Sequence, residues 1–351
     1  MGFLRTEPAW YDTRLQDAAN LYSKAKKEQW NAETDVDWSA GPVYYTDNQR
    51  LAAARLLSQF LHGEQGALLV CGQLVHMVPD MDAKLYAASQ VFDEARHVEV
   101  YARYLKTIGG VTPINKALAE ILGEIANETH FEEKLIGMQI LVEGLALRAF
   151  HGIREATCDP LLKQILAYTI KDEARHVAYG VMYLRRKISE LTEQRRREIE
   201  QTVTGWAMRL GLVYKEEGEE ATKILRPDAI LLAETTKRMW SENRNVPVET
   251  IIAEHEKIMG PRPAPIAPGA PGPVEICKYS LSQLEKDPDI SPEELADRSM
   301  RFMNKTSNQA IADATVVELR ERLQNMGLFP KKSNGESGPR LPPVIKRQMS
   351  V

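Results

Sequence analysis

The segment Asp93–Leu105, DEARHVEVYARYL, returns 79 residues later at Asp172–Leu184 as DEARHVAYGVMYL, with its first six residues unchanged. Both copies set acids, an arginine and a histidine into a run whose apolar residues recur at helical spacing, so each helix carries charge on a buried face. Buried charge is tolerated when it is paired, hydrogen-bonded or bound to a metal. In Glu94-x-x-His97 and Glu173-x-x-His176 the two side chains lie one turn apart on one helix face. Thirty residues before each motif glutamate stands another glutamate in apolar surroundings, Glu64 and Glu143.

This spacing carries a geometric test. If Glu64 and Glu94 reach the same depth from two antiparallel helices, the turn between them must be centred on residue 79, which is a proline. For Glu143 and Glu173 the midpoint is residue 158, just before Asp159-Pro160. Fifteen residues at ~1.5 Å rise each would place the glutamates roughly 22 Å from either turn. The expected core is an all-α four-helix bundle with flanking helices and an internal pseudo-two-fold repeat, residues 55–110 and 134–189.

Four glutamates and two histidines in this arrangement, Glu64, Glu94, His97, Glu143, Glu173 and His176, form the ligand set of a carboxylate-bridged dimetal site. Two divalent cations would neutralise carboxylates that in a core must otherwise protonate or bear a heavy desolvation cost. Mixed oxygen and imidazole donors suit iron or manganese. Asp93 and Asp172 lie one residue off the ligand face, placed to accept the second ring N–H of a histidine on the partner helix. Arg96 and Arg175 then pair with these acids. His62, His76, His130, His151 and His255 have no counterpart in the repeat and read as surface or outer residues.

Around this core the chain divides into an N-terminal arm (1–45), the bundle (46–245), a proline-rich linker (261–275), a small helical segment (276–330) and a tail (331–351) expected to be disordered. Thr112-Pro113 and Asp159-Pro160 each predict a capped helix start. Ser291 with Glu294 and Thr315 with Glu318 predict two further helices. A net charge of -4 gives no electrostatic footprint for nucleic acid, and no apolar run approaches a membrane span, so a cytoplasmic setting is expected. Cys71, Cys158 and Cys277 are too scattered for a disulfide framework or an iron-sulfur cluster; Cys71, seven residues after Glu64, could line the site.

The doubled DEARH and the Glu-x29-Glu-x-x-His frame resemble the ferritin-like di-iron carboxylate superfamily in its oxygen-activating branch. That branch includes multicomponent monooxygenases, acyl-carrier-protein desaturases and the ribonucleotide reductase small subunit. KKEQWNAETDVDWS (26–39) resembles its opening segment, and the likeness covers about residues 25–215. It implies two iron ions, or an iron-manganese pair, with O2 as co-substrate. Glu64 and His97 would be terminal ligands to one ion, Glu143 and His176 to the other, with Glu94 and Glu173 bridging. It further implies a small organic substrate, electrons from a separate ferredoxin or reductase, and a second copy of the chain as a partner.

The expected activity is oxygenation of the monooxygenase type. Desaturase-like oxidation, radical generation and plain ferroxidase or iron binding are the alternatives. Arylamine N-oxygenases of this superfamily carry a seventh ligand, a histidine one turn before the last Glu-x-x-His; Thr169 stands there, which argues against that chemistry. Tyr101, one turn after His97, occupies the radical position of the reductase subunit, and the repeat has Gly180 there. With no tyrosine after Tyr279, the reductase role is disfavoured.

Overall fold

The computed structural model describes residues 15–261, 271–325 and 327, with backbone alone for 306–320 and 322. Most of the proline-rich stretch, the tail beyond 327 and the first fourteen residues of the arm lie outside the described residues. Eleven α-helices are described: α1 (Gln16–Lys27), α2 (Asp47–Met77), α3 (Met81–Ile108), α4 (Lys116–Asn127), α5 (Phe131–Leu135), α6 (Glu143–Ala156), α7 (Pro160–Ser189), α8 (Glu193–Glu242), α9 (Val248–Met259), α10 (Pro273–Lys286) and α11 (Pro292–Asn325). No strand occurs among the described residues.

The two turns fall where equal ligand depth requires them. Helices α2 and α3 are separated by residues 78–80, centred on Pro79, and α6 and α7 by 157–159, centred on Cys158. Asp159 caps α7 by accepting from the Leu161 N–H (2.9 Å) ahead of Pro160 at the first turn. Two antiparallel hairpins thereby form the bundle, and its apolar interior is split. One cluster gathers Leu74, Tyr86, Tyr179 and Tyr183 toward the 78–80 turn. The other gathers Leu61, Tyr101, Tyr104 and Leu161 toward the 157–159 turn.

The halves are not equivalent throughout. Helices α5 and α6 are joined by a π-helical stretch, Ile136–Val142, which leads directly into Glu143. The corresponding residues before Glu64 are regular α-helix. A π segment widens the turn and re-aims side chains, and such segments recur at functional sites.

Two expected helix starts shift. Thr112-Pro113 does not open a helix: Asn115 caps α4 through the Leu118 N–H (3.2 Å). Residues before it are held extended by α2, since the Thr112 N–H donates to Ser58 Oγ (2.9 Å) and the Pro113 carbonyl accepts from Gln59 (3.1 Å). Tertiary partners for the loop backbone override the local cap signal. Ser291 does open α11, accepting from the Glu294 N–H (3.2 Å), but α11 continues through Thr315 and no second helix starts there. Helix α10, capped by Gly272 with Glu275 returning to its N–H (3.0 Å), replaces it as the partner of α11.

Helix α8 runs 50 residues, spanning about 75 Å. Its buried Asp228 accepts from Thr46 Oγ1 (2.6 Å) and Asn48 Nδ2 (2.8 Å), fastening the start of α2. No helix among the described residues is long and apolar enough to cross a membrane.

Candidate metal centre

The six candidate ligands converge midway along the bundle between the two apolar clusters, each 6 % exposed or less. Both histidines turn Nδ1 inward. His97 Nδ1 lies 3.2 Å from Glu64 Oε2, 3.4 Å from Glu94 Oε2 and 3.3 Å from Glu173 Oε1. His176 Nδ1 lies 3.2 Å from Glu94 Oε1, 3.6 Å from Glu173 Oε2 and 3.8 Å from Glu143 Oε2. Glu94 and Glu173 thus offer one oxygen to each histidine, while Glu64 stands at the His97 end and Glu143 at the His176 end.

Glu94 Oε2, Glu143 Oε2, Glu173 Oε2 and His176 Nδ1 are buried without any hydrogen-bond partner. Leaving such atoms unpaired costs on the order of 1–3 kcal/mol each. A donor set of four carboxylates and two imidazoles with inward-facing, unsatisfied lone pairs fits two divalent cations. Ligand atoms from Glu64, Glu94, His97 and Glu173, and from Glu143, Glu173 and His176, gather within 4.8 Å in two groups that share Glu173.

Charge acts differently on the individual groups. Burial holds the Glu64 and Glu143 carboxyls well above the usual range, reinforced at Glu143 by the facing Glu94. Burial also opposes ionisation of Glu94, but the two histidines outweigh it and hold that carboxyl low. Burial would lower His97 and His176, and the carboxylates raise both well above the ordinary value, Glu64 chiefly at His97 and Glu94 at His176.

The outer ring nitrogens are held across the bundle. His97 Nε2 meets Asp172 Oδ2 at 3.2 Å, and His176 Nε2 meets Asp93 Oδ2 at 3.3 Å. Each aspartate serves the histidine of the other helix, which fixes Nε2 as the protonated nitrogen and leaves Nδ1 free to ligate. Arg96 Nη2 reaches Asp93 (2.6 Å) and Asp172 (2.8 Å); Arg175 Nη2 reaches Asp172 (2.5 Å) and Asp93 (3.0 Å). This outer quartet is neutral by itself, so the four glutamates carry the charge that two divalent ions would match.

Residues 28–30, at the end of α1, close over the quartet. Trp30 Nε1 donates to Asp172 (2.8 Å), Gln29 bonds both Asp93 (3.2 Å) and Arg96 (2.6 Å), and Glu28 accepts from Arg175 (3.0 Å). The guanidinium of Arg96 lies 4.5 Å over the Trp30 ring.

Two further residues reach the site. Gln90, one turn before Glu94, donates to Glu94 Oε1 (3.1 Å) and Glu143 Oε1 (2.9 Å). Gln139, in the π stretch, contacts Gln90 (3.4 Å) and the Cys71 thiol (3.5 Å). Their spacing of four before a glutamate is legible in sequence, but glutamines at that position are ordinary helix formers. Cys71 does line the site, at the Glu143 end, and burial pushes its thiol up.

Tyr101 is fully buried at the opposite end, its ring 5.9 Å from Phe150 and its hydroxyl without a partner of good geometry. Thr169 is buried beside it and donates to the Ile165 carbonyl (3.2 Å). Of the other histidines, His62 bonds the Thr112 carbonyl (2.9 Å), His130 pairs with Glu128 (3.2 Å) and His255 bonds Thr236 (3.0 Å).

The family model described as p-aminobenzoate N-oxygenase AurF matches residues 68–245, just over half of the chain. Among solved structures, a leucine variant of an R2-like ligand-binding oxidase with aerobically reconstituted Mn/Fe cofactor is 16% identical, with a TM-score of 0.50, covering 91% of this chain and 94% of that one. A form of such a variant reconstituted anaerobically is 22% identical, with a TM-score of 0.48, over 62% of this chain and 92% of that one. Membership of that family holds although a threonine, Thr169, stands where the seventh-ligand histidine of the arylamine N-oxygenases is expected. The chain belongs to the AurF family within the ferritin-like di-iron oxygenase superfamily, and it is an oxidoreductase with a di-metal centre.

Proposed function

We propose that this protein is a cytoplasmic O2-activating oxygenase that oxidises a small organic substrate and is re-reduced by a separate ferredoxin or reductase. The observation that supports it is the convergence of Glu94 and Glu173 on both inward-facing histidine nitrogens, with Glu64 and Glu143 at opposite ends. Glu64 and His97 would hold one ion, Glu143 and His176 the other, and Glu94 and Glu173 would bridge. Two irons, or the Mn/Fe pair borne by the R2-like oxidases, fit this donor set. When bound, the pair supplies the electrons and open coordination positions that activate oxygen.

The protein's own residues set the conditions for that chemistry. Asp93 and Asp172 orient the imidazoles and raise their basicity. Arg96 and Arg175 neutralise the aspartates, and Trp30 and Gln29 keep water from the quartet. Gln90 holds Glu94 and Glu143 in fixed relation and leaves Glu64 free of such a tether. The Gln90, Gln139 and Cys71 end is polar, whereas the Tyr101 and Phe150 end is aromatic, so the two ions would sit in unlike surroundings.

Loading with ferrous iron and following 18O2 decides between an oxygenase and the alternatives. Label in an organic product, dependent on a reductase, supports the oxygenase. Oxygen consumption by ferrous iron alone with no labelled product would favour a ferroxidase, and substrate oxidation without label a desaturase-like oxidase.

A further inference from the structure

The repeat supplies an internal control for a row of tyrosines. On the half of the bundle toward the 78–80 turn, the rings of Tyr86 and Tyr179 stack with centroids 4.3 Å apart, and those of Tyr179 and Tyr183 stack 5.6 Å apart with planes inclined by 8°. The Tyr183 hydroxyl donates to Asp80 Oδ2 (2.8 Å), and Asp80 is paired with Lys187 Nζ (3.0 Å) where its side chain is 31% exposed. All three rings are 0% exposed. Tyr86 lies on α3 two turns before Glu94 and one turn before Gln90, the side chain that bonds both Glu94 and Glu143.

Shifting by 79 residues puts Tyr104 and Asp159 on Tyr183 and Asp80, and the same hydroxyl-to-carboxylate contact recurs there. At the positions of Tyr86 and Tyr179 the repeat has Ile165 and Val100, both buried. Packing in this fold therefore does not require aromatic rings at those two places. Nor does it favour the hydroxyl of Tyr86: its Oη is buried with no partner, a cost of about 1–3 kcal/mol that a phenylalanine would avoid, whereas the Tyr179 hydroxyl donates to the Ala83 carbonyl (3.2 Å).

We infer that Tyr86, Tyr179 and Tyr183 form a path for single electrons between the metal centre and the protein surface at Asp80. The inference rests on the oxygenase reading above. When the oxidised centre has no substrate to attack, Tyr183 loses one electron, passed through the Tyr179 and Tyr86 rings, and the centre is reduced by one electron. The Tyr183 O–H bond breaks, and its proton goes to the Asp80 carboxylate, leaving a neutral tyrosyl radical that an external reductant at the surface can quench. Lys187 keeps Asp80 ionised and ready to accept: burial opposes ionisation there, but bonds from Lys187 and Tyr183 hold the carboxyl below its ordinary range. Asp159, without that lysine, is held above it by burial.

The test uses the full chain loaded with ferrous iron, its metal content measured first, then mixed with oxygen in the absence of substrate and frozen for electron paramagnetic resonance. The expected result is a tyrosyl signal, narrowed by ring-deuterated tyrosine, that is lost in Tyr183→Phe and in Tyr179→Val, the residue the repeat carries. Metal content and helical circular dichroism should be unchanged in both. In Tyr86→Ile and Tyr179→Val, mass spectrometry should show increased oxidation of residues around the centre. A signal that persists in Tyr183→Phe, one lost only in Tyr101→Phe, or no tyrosyl signal in a chain that binds metal and consumes oxygen overturns the path while leaving the oxygenase reading intact. A chain that takes up no metal overturns both.

Discussion

Gly180 and Gln139 approach so closely that a Cβ on the glycine would lie 2.6 Å from the Cβ of the glutamine. The pseudo-equivalent of Gly180 is Tyr101, and that of Gln139 is Phe60. One end of the site is thus filled by Phe60, Phe150 and Tyr101, with Phe60 and Phe150 in edge contact at 4.8 Å, while the other admits an amide and a thiol. Gly180→Ala is expected to push Gln139 off Gln90 and to destabilise the protein by about 1–3 kcal/mol through overpacking. Thermal unfolding measures the loss. Adding Gln139→Gly, which removes that Cβ, should cost less in the Gly180→Ala background than in the native chain, and strictly additive losses in the double variant would refute the contact as the cause.

Glutamates that face both histidines should matter more for metal retention than those facing one. Glu94→Ala or Glu173→Ala is expected to abolish binding of the pair, whereas Glu64→Ala or Glu143→Ala should retain one ion. Metal content per chain by plasma mass spectrometry checks this. Equal loss in all four variants would contradict the division into bridging and terminal roles.

Asp93 and Asp172 each bond the histidine of the opposite helix and both arginines. Asp172→Asn keeps the shape but removes the charge that fixes the His97 tautomer, so metal affinity should fall about 10–100-fold. Competition against a chelator measures it. Helix content should stay unchanged, because the ligand helices are held by apolar packing on both sides of the site.

Asp80 should make stability depend on pH at the acidic end. Its folded-state carboxyl lies below the ordinary 3.8, so the folded chain holds the proton less tightly than the unfolded chain. The stabilisation is present in full above that ordinary value and is lost as pH falls through the folded-state value. Asp80→Asn should therefore lower the melting temperature at neutral pH by more than it does in strong acid. An identical decrement at both pH values would show that the ion pair with Lys187 contributes nothing.

Spacing carried most of what could be read in advance. Equal intervals of thirty residues between Glu64 and Glu94 and between Glu143 and Glu173 required turns near 79 and 158, and helices break at both. An i,i+3 pair shares a face in any α-helix, and two copies of one hairpin have to bring that face to one depth. Long-range effects were not written in any local window. The π turn before Glu143, the loss of the Thr112 cap to Ser58 and Gln59, and the continuation of α11 through Thr315 each depend on neighbours far away in sequence. So does the closing of Gln29 and Trp30 over Asp93 and Asp172. Periodicity and interval thus determine which residues can meet, because helix geometry is local and fixed. Which lone pairs are left unsatisfied, and which end of the site is polar, only the packed bundle decides, because those depend on what each side chain finds opposite it.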